Sequence, residues 1–306
     1  MKTLKIATRN SPLALWQAEH VKQQLCNIHS DLNVELVSMT TEGDRFLDAP
    51  LIAVGGKGLF IKELEQAMLA GEADIAVHSM KDVTIDVPDE LALPVIMQRE
   101  DSRDVFISNK YDNLESIPDN AVVGTSSLRR QSQLKALHRK ITLKDLRGNV
   151  GTRLRKLDED EYDGILLAAA GIVRLGLGER ITQLIPQTML LPAIGQGAIG
   201  IECRAGDNVA HELIAPLNDQ ETSLCVKTER AFSRRLFGGC QLPIAGQASI
   251  NGDELTLVGL VAKVDGSEVI KAKLSGDLTE GENIGTALAE TLLERGADQI
   301  LKALMN

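Results

Sequence analysis

Two adjacent residues set the chemistry to look for. Lys81 and Asp82 close the stretch 73–83, A-D-I-A-V-H-S-M-K-D-V, in which small apolar and polar residues alternate and then stop. The alternation predicts a short strand. Open α/β sheets bind ligands just beyond the carboxyl ends of their strands. A carboxylate at that point can stabilise a developing cation or shuttle a proton. The plain alternative is a solvated Lys-Asp pair that merely ends a strand. Neighbouring strand residues point to opposite faces, so for both side chains to serve one site the strand must end or turn between them. Cys240 is the second reactive candidate. It sits in Phe237-Gly238-Gly239-Cys240-Gln241-Leu242-Pro243, a glycine-hinged loop shortly after Arg234 and Arg235, cations that favour a nucleophilic thiolate. Cys26, Cys203 and Cys225 lie in apolar periodic segments and read as core. The four cysteines form no C-x-x-C pair, so neither a zinc site nor a disulfide framework is expected.

The remaining candidates are arginines and hydroxyls that would bind anions. Arg9 follows a first strand, and Ser11-Pro12 reads as the cap and first position of a helix, where free backbone N–H groups favour anions. Thr125-Ser126-Ser127 leads into a helix that begins Leu128-Arg129-Arg130, bringing hydroxyls, helix amides and two guanidiniums to one turn. Arg147 ends a further strand, Arg153 lies in the first turns of the next helix, and Arg174 is on the helix after that. One such arginine would be an ordinary surface residue; three successive strand-to-helix units carrying them imply a shared anion cleft. The chain is acidic, with formal net charge −10, yet residues 129–156 hold ten Lys or Arg against one acid, Asp145. Bulk nucleic-acid binding is disfavoured by that net charge, and base stacking by 3% aromatic content. A solvated basic helix face is the plain reading of the basic stretch; a local site for a small polyanion is the functional one.

The elements that must position these groups follow an α/β pattern. The 306 residues exceed one ordinary core. A first region, 1–98 with 198–216, alternates strands (4–8, 34–39, 73–83, 95–97) with helices (12–26, 59–70). A charged turn at 98–104 leads to a second α/β region, 103–192, with strands at 105–107, 121–124, 141–146 and 163–168. The glycine-rich segment 191–200 reads as a return linker, and 199–202 could add a strand to the first sheet. Two crossovers between lobes imply a hinged cleft. Residues 220–306 read as a third, α+β region: a helix from Glu221, three alternating strands around Asn251-Gly252 and Asp265-Gly266, and one long closing helix over 284–305. Trp16 falls at helical spacing and is expected in the core. The loop 40–58 contains Gly55-Gly56-Lys57-Gly58, but the phosphate-loop spacing fails, and a mobile lid fits the glycines better. No apolar run is long enough to span a membrane and the first residues lack a signal-peptide core, so a cytoplasmic protein is expected.

Taken together, these segments resemble the porphobilinogen deaminase (hydroxymethylbilane synthase) family. The matching motifs are A-T-R-N-S-P-L-A-L-W at 7–16, G-G-K-G-L-F at 55–60, A-V-H-S-M-K-D at 76–82, G-T-S-S-L-R-R-Q at 124–131, L-R-G-N-V-G-T-R at 146–153, L-P-A-I-G-Q-G-A at 191–198, and E-R-A-F at 229–232 followed by G-G-C-Q-L-P at 238–243. They cover the chain in order. The resemblance implies two periplasmic-binding-protein-like α/β domains joined by two crossovers, plus a C-terminal α+β domain with a small antiparallel sheet that carries the cysteine loop. It implies a transferase that joins four porphobilinogen molecules head to tail, losing ammonia at each step, and releases hydroxymethylbilane for porphyrin and haem biosynthesis. It implies a dipyrromethane cofactor held by a thioether to Cys240, Asp82 as the catalytic acid, and a cleft lined by Arg9, Arg129, Arg130, Arg147, Arg153 and Arg174, with Lys57, Lys81, Ser11, Thr125 and Ser127 beside them. Porphobilinogen is then the only partner, with no metal, nucleic acid or membrane, and the enzyme is a monomer. Ala53 stands where many relatives carry lysine, and Leu242 where a β-branched residue is usual; neither removes a group that the chemistry needs.

That chemistry explains the residue types. Every pyrrole unit carries an acetate and a propionate, so a lengthening chain is a dense polycarboxylate. Guanidinium forks bind carboxylates bidentately and stay charged. Departure of ammonia leaves an azafulvenium cation, which a fixed carboxylate stabilises. Two competing readings share parts of the pattern. A non-catalytic solute-binding module would share the two-lobe architecture but not the cysteine loop, and turnover of porphobilinogen separates the two. A nucleotide-binding enzyme would need phosphate-loop or G-x-G-x-x-G spacing, which is missing.

Overall fold

The computed structural model describes residues 2–45, 58–137, 140–238 and 242–305. Along the chain come β1 (Lys2–Arg9), α1 (Pro12–Ile28), β2 (Leu32–Met39), α2 (Glu42–Arg45), α3 (Lys62–Leu69), β3 (Ile75–Ser79) and β4 (Leu91–Ile96). Next are β5 (Asp104–Ile107), β6 (Val122–Gly124), α4 (Leu128–Leu137), β7 (Thr142–Lys144), α5 (Val150–Asp158), β8 (Gly164–Ala168), α6 (Ala169–Arg174) and β9 (Gln183–Leu184). The last are β10 (Ile199–Arg204), α7 (Asn208–Ile214), α8 (Gln220–Arg235), β11 (Ile244–Asn251), β12 (Glu254–Ala262), β13 (Val269–Asp277), α9 (Gly281–Leu292) and α10 (Asp298–Met305). The chain divides into two compact units, 1–100 with 198–223, and 101–197 with 224–306.

The first unit is built on the sheet β2-β1-β3-β10-β4. Strand β1 pairs in parallel with β2 and β3, while β10 runs antiparallel between β3 and β4. The segment 199–202 therefore does return as a strand, one that extends to Arg204. Buried on both faces, β3 reads Ile-Ala-Val-His before Ser79. Ile6, Val34, Ile75, Val77, Ile201 and Val21 of α1 form one apolar cluster; Trp16 and Cys26 pack on its rim, half-buried rather than in the interior. Trp16 also stacks on the His20 ring at 5.0 Å. At the head of α1 the Ser11 hydroxyl accepts from the Ala14 amide at 3.3 Å, and Pro12, which has no N–H to leave unpaired, takes the first helical position.

The second unit contains two sheets. The order β7-β6-β8-β5-β9 repeats the mixed pattern of the first unit: β6 is parallel to β7 and β8, and β5 is antiparallel to β8 and β9. The antiparallel sheet β11-β12-β13 packs under α8, α9 and α10 around Phe232, Leu257, Leu288 and Leu292. Although this region has its own core, it forms one compact unit with 101–197. Leu191 packs with Ala245, Leu260 and Ala262. The buried Glu229 carboxylate of α8 accepts from Gly195 N at 2.7 Å and Ala248 N at 2.9 Å, tying the 191–197 segment to β11. The expected single helix over 284–305 is broken. A wide turn at Leu293–Ala297 separates α9 from α10, because Gly296 takes φ 101°, which a continuous helix excludes and glycine permits. Its amphipathic periodicity continues across the break, so spacing alone did not reveal it.

Candidate active site

In the first unit the site begins where β3 stops. The strand ends at Ser79, and Met80–Asp82 forms a single 3₁₀ turn closed by Val83 N to Met80 O. That turn is what Lys81 and Asp82 require in order to escape the alternation of a strand. The turn is fastened on three sides. Ser79 Oγ accepts from Gln17 Nε2 at 2.9 Å, Met80 N donates to Ala198 O at 3.0 Å, and the Met80 side chain lies over Gly200. Asp82 is half-buried, and its carboxylate has no hydrogen bond or ion pair among the described residues. Lys81 is likewise half-buried. Behind the turn, His78 Nε2 and Glu202 Oε2 form a buried pair at 2.9 Å across β3 and β10. Burial and the neighbouring Glu202 raise the Glu65 carboxyl above its usual range.

Arg9 ends β1 in the same unit. It donates through Nε to Asp44 Oδ2 at 3.1 Å and through Nη2 to Asp44 Oδ1, and the Phe60 ring lies 4.3 Å from its guanidinium carbon. Ser11 caps α1 two residues on. Lys57 and Cys240 lie outside the described residues.

In the second unit Thr125 is buried and Ser127 half-buried, and Ser127 N donates to Thr125 Oγ1 at 3.3 Å. Arg129 and Arg130, expected at an open strand end, are instead only 4% and 6% exposed. Both guanidiniums close on Asp104. Arg129 reaches it at 2.7 and 3.2 Å, Arg130 at 2.7 and 3.1 Å, and Gln196 Nε2 adds a donor at 3.0 Å. Their outer N–H groups also hold Leu191 O at 2.8 Å and Leu166 O at 2.9 Å. Burial opposes ionisation of Asp104, but the two guanidiniums outweigh it and hold the carboxyl well below the usual carboxylate range. Two arginines on one carboxylate leave one guanidinium charge in excess within this trio. Asp104 was missed in the sequence because it ends a charged turn; the available signal was an acid opening the wholly buried strand Val105-Phe106-Ile107.

Arg147 is different. It is half-buried in the loop after β7 and has no ion-pair or side-chain hydrogen-bond partner among the described residues. Arg153 donates through Nε to Gly148 O at 2.7 Å, and Asn149 caps its helix through Thr152 N at 2.9 Å. Arg174, at the end of α6 and 9% exposed, donates to Gly197 O at 2.7 Å. The structure thus gathers Thr125, Ser127, Arg129 and Arg130 at one turn, with Arg147 and Arg153 on the loop and helix that follow the next strand. Of the other cysteines, Cys203 and Cys225 are buried, and burial pushes the Cys203 thiol up to about 11. No cluster of metal-ligating side chains occurs among the described residues. No described helix is long and apolar enough to cross a membrane.

Two mixed sheets flanked by helices, with arginines in the turns and helices that follow their strands, define an α/β protein. Residues 4–212 match the family described as porphobilinogen deaminase, dipyromethane cofactor binding domain, and residues 223–294 match porphobilinogen deaminase, C-terminal domain. The chain belongs to the porphobilinogen deaminase family. It is an enzyme that polymerises porphobilinogen into hydroxymethylbilane on a dipyrromethane cofactor, in tetrapyrrole biosynthesis. Among solved structures, the chain is similar to a methionine-binding lipoprotein from Bacillus subtilis, at TM-score 0.46 and 10% identity over 72% of this chain and 92% of that one. It is also similar to a nutrient binding protein from Burkholderia cenocepacia bound to methionine (TM-score 0.43, 13% identity, 72% and 93%). A third similar structure is the periplasmic aliphatic sulphonate binding protein from Escherichia coli (TM-score 0.42, 12% identity, 76% and 70%).

Proposed function

We propose that Asp82 is the carboxylate on which each condensation turns, that Cys240 carries the cofactor through a thioether, and that the arginines and hydroxyls implied by the family resemblance bind its acetates and propionates. The observation that carries this reading is the Asp82 carboxylate: fixed by a turn just past a buried strand, and uncommitted to any other side chain among the described residues. Such a group is available both to stabilise the cation left on the substrate pyrrole when ammonia departs and to take the proton released at the coupling carbon. The substrate's amine leaves as a stable neutral molecule from its ammonium form, so no strong acid is needed.

The donor set fits a polycarboxylate cofactor. Arg147 has a guanidinium without a partner among the described residues, Thr125 and Ser127 offer hydroxyls, and the Asp104 cluster keeps one positive charge in excess. When bound, dipyrromethane supplies the pyrrole carbon to which the first substrate unit is joined. Lys57, Lys81, Arg9, Ser11, Arg153 and Arg174 complete the proposed carboxylate-binding set. Cys240 is favoured as the attachment point because Cys203 and Cys225 are buried and Cys26 is half-buried. A monomeric, cytoplasmic enzyme is the accompanying proposal, checked by light scattering and cell fractionation.

The test is the intact mass of the denatured protein. The wild-type chain should carry an excess equal to two linked pyrrole units on the peptide containing Cys240, and Cys240→Ala should carry none. An adduct of unchanged mass in Cys240→Ala, or one mapped to another cysteine, overturns the attachment.

A further inference from the structure

Arg9 is held from two directions. Asp44 takes its Nε and Nη2 edge, and the Phe60 ring covers one face. Asp44 is itself anchored, accepting from Thr41 Oγ1 at 2.8 Å and Thr41 N at 3.3 Å. The Phe60 ring packs on the Gly43 backbone, so closely that any side chain at 43 would collide with it. A guanidinium has two edges that can each grip a carboxylate. Asp44 occupies one. The other, Nη1 with the second hydrogen of Nη2, has no partner among the described residues, while the side chain is still about one-fifth exposed. Burial would push the Asp44 carboxyl up, but its bonds to Arg9 and Thr41 prevail and lower it, so it is an anion at working pH.

We propose that Asp44 is a positioning residue for substrate binding: it immobilises Arg9 so that the guanidinium's open edge is presented, already oriented, to an acetate or propionate of the incoming porphobilinogen. The proposal rests on the reading of Arg9 as a carboxylate-binding residue. An arginine that wanders among rotamers must be ordered at each encounter; one already clamped is not. The opposite role for Asp44, an internal carboxylate that competes with substrate for Arg9, makes the reverse prediction. Two edges, only one of them used, favour positioning.

The experiment is steady-state kinetics on holoenzyme carrying Asp44→Asn, Arg9→Gln, both together, or Glu42→Gln. Asn at 44 is isosteric and keeps an acceptor for Thr41, so the turn is retained. Glu42 is an exposed acid two residues away, which controls for loss of a negative charge. Asp44→Asn should raise KM about three- to tenfold with kcat nearly unchanged, the scale of one weakened ion pair. Glu42→Gln should leave KM unchanged. In the Arg9→Gln background Asp44→Asn should add nothing, because the two act through one contact. An unchanged or lowered KM in Asp44→Asn, or additivity in the double variant, overturns the proposal. Should Arg9→Gln itself leave KM unchanged, it is the reading of Arg9 that fails. Asp44→Glu, which restores the charge, should recover part of the loss.

Discussion

Replacing Asp104 by Asn would remove the one carboxylate between two buried guanidiniums. Asp104 is fully buried and receives five donor contacts, four from Arg129 and Arg130 and one from Gln196. Without its charge, two cations remain inside the unit, one of them 4% and the other 6% exposed. Breaking a buried pair by removing one partner costs about 3–5 kcal/mol, because an uncompensated charge is left behind. At about 2–4 °C per kcal/mol for a chain of this size, Tm should fall by about 10 °C. Arg130→Gln leaves Asp104 paired with Arg129 and should cost less, about 1–3 kcal/mol, the scale of lost hydrogen bonds. The pH dependence has a definite sign. Asp104 is held below its unfolded value, so its contribution is present above about pH 4, where the unfolded aspartate is ionised. That contribution fades only as the solution is acidified further, toward the folded pKa. Calorimetric scans of wild type, Asp104→Asn and Arg130→Gln between pH 3 and pH 8 provide the assay. A Tm within 2 °C of wild type for Asp104→Asn at pH 7, or a larger loss for Arg130→Gln, would refute the reasoning.

Two further variants probe the reaction itself. Asp82→Asn should keep the cofactor mass but lose about 10²–10³ in kcat, the scale of removing one preorganised electrostatic stabiliser; single-turnover release of ammonia reads this directly, and near-normal turnover removes Asp82 from the mechanism. Arg147→Leu deletes a guanidinium that has no internal partner among the described residues, so folding should be little affected. Loss of a charged hydrogen bond worth about 1.5–3 kcal/mol should raise KM for porphobilinogen by about 10- to 100-fold or hinder cofactor assembly, and unchanged kinetics would place Arg147 in solvent.

Much of the fold is written in runs of adjacent residues. The alternation before Asp82, the Ser11-Pro12 cap and the strand returning at 199 all depend on neighbours a few positions apart, and each is visible in the sequence. Even the 3₁₀ turn at Met80–Asp82 was demanded by geometry, since two consecutive strand residues cannot share a face. The broken helix at Gly296 was less legible. A single glycine is tolerated within helices at modest cost, so periodicity on both sides outweighed it.

The sequence by itself determined the chemistry available: the order of the α/β elements, an acidic chain with one basic stretch, and a set of arginines, an aspartate and a loop cysteine that match one family from end to end. The tertiary structure decided which of those charges are committed and which are free. Asp104 finds Arg129 25 residues away, and Arg9 finds Asp44 35 residues away. Nothing in the local patterns distinguishes Arg129 and Arg130, which are buried and paired, from Arg147, which has no such partner among the described residues. Local spacing records what a segment will form; the partner of a charge depends on where distant strands are laid beside one another, and only the packed sheets specify that.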